Sequence, residues 1–380
     1  MKVPDTFCKA PFSSAVIDCD GKLLPCCEYM QHLSTIPYHH VSDFDQWWIS
    51  GLMPLRQKMI LGEPDDGCRH CRTKESNPQE YSLRRDSNRK IQQSALQFMH
   101  DEPLGPIELV EIRLGNVCNL GCIMCYPGAS STIAAERISH QQVFRSIGIS
   151  TDHDQNIDRA WYKNQEHWSW ALALVANCRY LHVSGGEPFM NPRMLELLDA
   201  VSDNCSVSIN TNMTMINEEI ADKLRDLAEV KLVISLEGVG DHNGYVRWPS
   251  EWSTIERAID DLRGLSMNIN HVLQHTSIFS IPPLIVWADE KRIPINFGQV
   301  FAGSVQGWGT MTINSAHPKD HEQFSRWLGT YDGPYKKVLE GWAGSYVFSP
   351  ERHDFFKTYV GVLDSIRGTD FQAVFQPNWA

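Results

Sequence analysis

The sequence predicts an α/β fold, a TIM-like partial barrel of the (β/α)6 type. Two observations carry this: six short β-branched runs, and amphipathic stretches of helical spacing set between them. The runs are "IELVEIRL", "YLHVSG", "SVSIN", "KLVISLEG", "INHVLQHTS" and "PINFGQVF". Each is bounded by turn residues and is short enough for a strand buried in a sheet. Between them, "SSTIAAERISHQQVF", "PRMLELLDAVSD", "NEEIADKLRDLA" and "EWSTIERAIDDLRGL" repeat apolar residues three and four apart, which predicts helices. Strand and helix in alternation imply parallel β/α units. Six strands stop short of a closed eight-stranded barrel, and chemistry is expected where the strands end.

The barrel is predicted over residues 105–302. Residues 1–90 are rich in cysteine and turns and read as a small separate domain. Residues 303–380 are rich in aromatics, as in "HEQFSRWLGTYDGPYKKVLEGW", and read as a mostly helical extension packed on the barrel. The densest basic stretch, "SLRRDSNRK" (Ser82 to Lys90), reads as a solvated linker or helix face. The net charge of −12 argues against sequence-independent nucleic-acid binding. No apolar run reaches the length of a membrane span, and the opening "MKVPDTFCKAPF" lacks the pattern of a signal peptide, so a cytoplasmic protein is expected.

Eleven cysteines without an export signal point to metal or redox chemistry rather than disulfides. Nine of them fall within the first 125 residues, which locates that chemistry. In "GNVCNLGCIMCYPG", Cys118, Cys122 and Cys125 share one loop after the first barrel strand. Thiolates suit zinc or iron–sulfur clusters, and a structural zinc site normally takes four ligands. Three thiolates on a four-iron cluster leave one iron open. Histidine gives no zinc-protease helix, His39 and His40 read as loop residues, and no Walker, Rossmann or serine-hydrolase motif occurs.

The Cys-x3-Cys-x2-Cys loop resembles the signature of the radical S-adenosylmethionine (SAM) superfamily. That resemblance implies a [4Fe-4S] cluster on Cys118, Cys122 and Cys125, with SAM chelating the open iron. Met124 stands where the family usually has an aromatic residue near the adenine. "VSGGEP" ends the second barrel strand and resembles the family's site for the SAM amino group, which implicates Gly185, Gly186, Glu187 and Pro188. "INTNM" and "SLEG" are similar to Thr-Asn-Gly and Ser-Leu-Asp-Gly segments, with Met213 and Glu237 as departures. They make Asn212 and Ser235 candidates for ribose or carboxylate contacts. Arg247, in "GYVRWPSEW", has a spacing similar to that of an arginine on the SAM carboxylate in peptide-modifying relatives. Its alternative is a surface salt bridge.

Cys8, Gly21 and Cys26, followed by "CRHC" with Cys68 and Cys71, resemble the opening half of the SPASM auxiliary-cluster motif in its shorter twitch form. That implies a second, auxiliary [4Fe-4S] cluster ligated by Cys8, Cys26, Cys68 and Cys71. A structural zinc site on the same thiols is the rival, and Cys19 or Cys27 could substitute as ligands. Cys178 and Cys205 read as buried core thiols. The expected function is hydrogen abstraction from a peptide or protein, with a small metabolite as the alternative substrate. An electron would come from a reductase such as flavodoxin or ferredoxin. The non-enzymatic alternative is a zinc- or cluster-binding interaction module.

Overall fold

The computed structural model describes residues 3–34, 36–76, 82–91, 105–151, 159–300 and 311–378. Eight strands form: β1 (Ser14–Ile17), β2 (Leu23–Leu24), β3 (Leu109–Arg113), β4 (Tyr180–Ser184), β5 (Ser206–Thr211), β6 (Glu229–Ser235), β7 (Ser266–Leu273) and β8 (Ile295–Gln299). Their order in one sheet is β2-β1-β3-β4-β5-β6-β7-β8, so β2 and β8 are edges and the sheet is open. The last six are the barrel strands read from the sequence. The end of the sixth run, Phe301, and the start of the C-terminal extension at residue 303 lie outside the described residues.

The chain divides into two compact units. One comprises Met1–Val117, Ile157–Asn210 and Glu218–Lys231, the other Cys118–Asn156, Thr211–Asn217 and Leu232–Ala380. In the first unit β1 pairs parallel to β3, with Ser14 opposite Leu109 and Ile17 opposite Ile112. The four-residue run "SAVI" is too short to stand out by periodicity, so its addition to the sheet goes beyond the sequence reading. A turn through Gly21, whose φ is 79°, returns the chain antiparallel into β2. β3 pairs parallel to β4, and β4 to β5. Val110, Ile112, Leu181, Val183, Val207 and Ile209 are buried on one face. The alternate positions carry Glu111, Arg113, His182, Ser206 and Ser208, as the two-residue period of a strand requires. Arg113 is tied to Glu111 and Asp18, both at 2.9 Å.

The helix Gln165–Asn177 covers this sheet with Trp168, Ala171 and Val175 buried, and Asn164 caps it by accepting the N–H groups of Glu166 and His167. Of the two readings of "SLRRDSNRK", linker or helix face, the helix holds: it forms the helix Leu83–Lys90, capped by Ser82, and turns back onto the N-terminus. There Asn88 accepts the Lys9 N–H at 2.8 Å and donates to the Phe7 carbonyl at 3.0 Å.

In the second unit β7 pairs parallel to β8. The helix Ser277–Lys291 contains Pro282 and Pro283, which obscured it in the sequence. It persists because Ile278, Ile281, Leu284, Ile285 and Ala288 are all buried. Helices Pro318–Thr330, Lys336–Gly344, Pro350–Arg367 and Phe371–Phe375 follow. Phe356, Tyr359, Val360, Leu363, Phe371 and Phe375 share a core with Leu120, Cys122, Ile123 and Met124. The C-terminal aromatics therefore pack on the cysteine loop itself.

Candidate active site

The cysteine loop is held by backbone hydrogen bonds from several directions. Ser130, the cap of helix Ser131–Ser139, donates to the Leu120 carbonyl at 2.7 Å. Ser131 accepts the Cys118 N–H at 3.1 Å, and Thr132 donates to the Cys118 carbonyl at 2.7 Å. On another side the Gly121 and Ile123 N–H groups donate to the carbonyls of Trp248 and Val246, at 2.6 and 2.9 Å. Tyr359 donates its hydroxyl to the Ile123 carbonyl at 3.0 Å. Four loop residues, Cys118, Leu120, Gly121 and Ile123, are thus oriented by partners outside the loop.

Arg247 lies between Val246 and Trp248 and is buried. One end of its guanidinium stands 3.7 Å from Cys122 Sγ, and the other pairs with Glu237 at 2.7 Å. The surface salt bridge is thereby excluded as its role; the pair is internal. Glu237 is fully buried, and its second oxygen accepts the Val272 N–H at 3.0 Å. Burial pushes its carboxyl up to about 7, opposed by the Arg247 charge and by the Arg247 and Val272 hydrogen bonds. Asn212 donates to Asn119 at 3.0 Å and accepts from Thr214, so the loop after β5 is fastened to the cysteine loop. Met213 takes a φ of 63° with its side chain buried. The left-handed backbone that glycine adopts easily is kept here at a cost in strain. Ser235 is the last residue of β6 and is half-buried. Met124 is buried among the loop's apolar neighbours.

In the first unit Gly185 and Gly186 have φ values of 86° and 41°. A Cβ on Gly185 would meet the Gly115 carbonyl at 2.9 Å, and one on Gly186 would collide with the Val117 carbonyl. Both positions require glycine for close approach of the backbone. The Glu187 N–H donates to that Val117 carbonyl at 2.8 Å, one residue before Cys118 in the chain. The Glu187 side chain is buried and accepts the Phe189 N–H at 3.3 Å, and Pro188 opens the turn Pro188–Met190.

Also in this unit, Cys8, Cys26, Cys68 and Cys71 line one cavity of about 350 Å³, together with Glu28, Tyr29, Asp65 and Arg84. Burial pushes the Cys8 thiol up to about 12 and raises those of Cys26, Cys68 and Cys71. Cys19 and Cys27 do not line it. Cys27 lies by Glu111, and Cys19 by Asp18 and Arg113. Cys178 and Cys205 are buried, with their sulfurs 3.6 Å apart.

Residues 112–278 match the family model of the radical SAM superfamily. They form a radical SAM domain. The mycofactocin maturase MftC of Mycobacterium ulcerans is 34% identical over 152 residues, which are 40% of this chain and 35% of that protein. The AdoMet-dependent heme synthase of Methanosarcina barkeri is 21% identical over 271 residues, 70% of each chain. The solved structure of Streptococcus suis SuiB bound to S-adenosylmethionine has a TM-score of 0.42 at 15% identity, covering 87% of this chain and 70% of that one. The chain spans from about a third to about a half of the lengths of the first curated relatives it matches.

The radical SAM family implies a [4Fe-4S] cluster and SAM, and the residues present fit both. Three thiols stand on one pinned loop, and burial pushes the Cys125 thiol up to about 12 and raises that of Cys122, with Arg247 pulling the latter down. Thiols so buried ionise when bound cations neutralise them, as the irons of a cluster would. The buried Arg247 Nε, beside Cys122, has no hydrogen-bond partner among the described residues. Such an atom favours a polar ligand. Among the described residues no helix is long and apolar enough to cross a membrane. Sequence reasoning did not reach Glu136, Tyr359 or Arg367, which bear on the loop from outside any motif. A local pattern offers no signal for contacts that span more than 200 residues.

Proposed function

We propose that the chain is an enzyme that reductively cleaves SAM and abstracts hydrogen from a peptide or protein. The observation that carries this reading is the pinned Cys118, Cys122 and Cys125 loop with Arg247 at Cys122, inside the matched domain. When bound, the cluster and SAM supply one-electron cleavage to methionine and a carbon radical that takes a hydrogen atom from the substrate. The chain's residues would hold these groups: the three thiolates bind iron, and Glu187 takes the SAM ammonium. Arg247 orients the SAM carboxylate, Asn212 and Ser235 serve the ribose or carboxylate, and Met124 lies at the adenine. Gly185, Gly186 and Pro188 let the backbone come close. A reductase such as flavodoxin or ferredoxin would supply the electron.

We assign the auxiliary [4Fe-4S] cluster to Cys8, Cys26, Cys68 and Cys71, within residues 1–90, as a separate functional region from the barrel at 105–302 and the extension at 303–380. Four thiols around one cavity support it. The auxiliary cluster would take an electron from the substrate radical or hold the substrate. Peptide substrates are favoured because MftC is a maturase and another solved SuiB structure holds a precursor peptide.

Anaerobic reconstitution tests the reading. About eight irons are expected, and replacing Cys118, Cys122 and Cys125 with Ala removes about half of them along with all SAM cleavage. Cleavage that survives the triple replacement overturns it.

A further inference from the structure

The C-terminal helix Pro350–Arg367 does more than fill space behind the barrel. Two of its side chains, two turns apart on one face, reach the segment between the first and third cysteines of the loop. Tyr359, buried, donates to the carbonyl of Ile123, the residue after Cys122, at 3.0 Å. Arg367 is nearly fully buried, and its guanidinium would stand 3.1 Å from a Cβ on Gly121, the residue before Cys122. That guanidinium lies over the Trp248 ring at 5.1 Å, and the Trp248 carbonyl accepts the Gly121 N–H. It is fixed by two bonds of 2.8 Å to Glu136, on the helix whose first turn holds the Cys118 and Leu120 carbonyls. A bidentate arginine–carboxylate pair fixes direction as well as charge. Gly121 leaves room for the guanidinium.

The loop is therefore held between two buried Arg–Glu pairs, Arg247 with Glu237 and Arg367 with Glu136. One of these arginines reaches a cysteine sulfur. The other is bonded to Glu136 and lies over the Trp248 ring beside Gly121, near enough for its charge to pull the Cys122 thiol down, which is the work of alignment rather than of ligation. Groups that orient ligands to a metal commonly change its properties when removed.

We propose that Tyr359 and Arg367 are positioning residues of the SAM-cluster site, fixing the spacing of the Cys118, Cys122 and Cys125 thiolates from the C-terminal helix. The inference rests on the radical SAM reading. Its test uses the full-length reconstituted protein, following the electron paramagnetic resonance signal that changes when SAM is added. Tyr359→Phe and Arg367→Gln should bind iron yet alter the shape of that signal. Their iron should also pass to a chelator at least about threefold faster than in the wild type. Arg367→Lys should recover part of the wild-type signal. Wild-type signal shape and wild-type iron release in both Tyr359→Phe and Arg367→Gln would overturn the proposal. Should Arg367→Gln not fold by circular dichroism, Tyr359→Phe, which loses one hydroxyl, decides alone. A wild-type protein with no SAM-responsive signal would instead overturn the radical SAM reading.

Discussion

Arg247 and Glu237 form a buried ion pair of 2.7 Å, and the same guanidinium stands 3.7 Å from Cys122 Sγ. A glutamate thus occupies the position where similar segments carry aspartate, and its longer side chain also accepts the Val272 N–H. Loss of one partner leaves a charge buried without compensation, at a cost of about 3–5 kcal/mol. Glu237→Gln should lose roughly that much stability in urea unfolding of the metal-free protein. Adding Arg247→Met should restore a good part of it, since an apolar replacement removes the stranded charge. Equal stability of Glu237→Gln and the wild type would show that the pair contributes nothing.

Glu187→Gln should weaken SAM binding by about tenfold, as expected for loss of one charge-assisted contact of about 1.5 kcal/mol. Iron content should not change, since no thiolate is touched. A calorimetric titration with unaltered SAM affinity would remove Glu187 from the site.

Cys68→Ala combined with Cys71→Ala should retain SAM cleavage while abolishing product, because these thiols line the N-terminal cavity and not the barrel loop. Circular dichroism and iron counts belong beside the assay, since the region around the cavity relies on a small core of Phe7, Phe12, Tyr29, Leu55 and Met59. Normal product from a folded variant, or zinc in the native protein, would reduce this site to a structural one.

His271 and His275 are fully buried, and burial pushes both rings down to about 3. His271 sits 3.1 Å from the Leu236 carbonyl, and His275 stacks on Phe356 at 3.8 Å. In the unfolded chain both titrate near their ordinary value of about 6.5. Protons therefore bind the unfolded state more readily in the window between. The stability held by the neutral rings is complete above about 6.5 and is lost progressively as the pH falls towards 3. Each ring contributes a slope of roughly 1 kcal/mol per pH unit inside that window. His275→Gln should flatten the acid side of a urea-midpoint profile, and an unchanged slope would count against it.

The six barrel strands, the three-cysteine loop and the Gly-Gly-Glu-Pro turn are legible in the amino-acid order alone. Each depends on local periodicity or on a backbone conformation that few residues adopt. Gly185 and Gly186 are examples: their positive φ values and the carbonyls pressing on them leave no room for a side chain. Tertiary structure decided how the flanks are used. The run "SAVI" became a strand because β3 offered it a parallel edge, and "SLRRDSNRK" became a capped helix because Asn88 found the backbone beside Cys8. Arg247 became an internal charge because Glu237 was buried with it. Tyr359 and Arg367 reached the cysteine loop across more than 230 residues. Such contacts are made by packing after the chain has folded, and no spacing along the sequence encodes them.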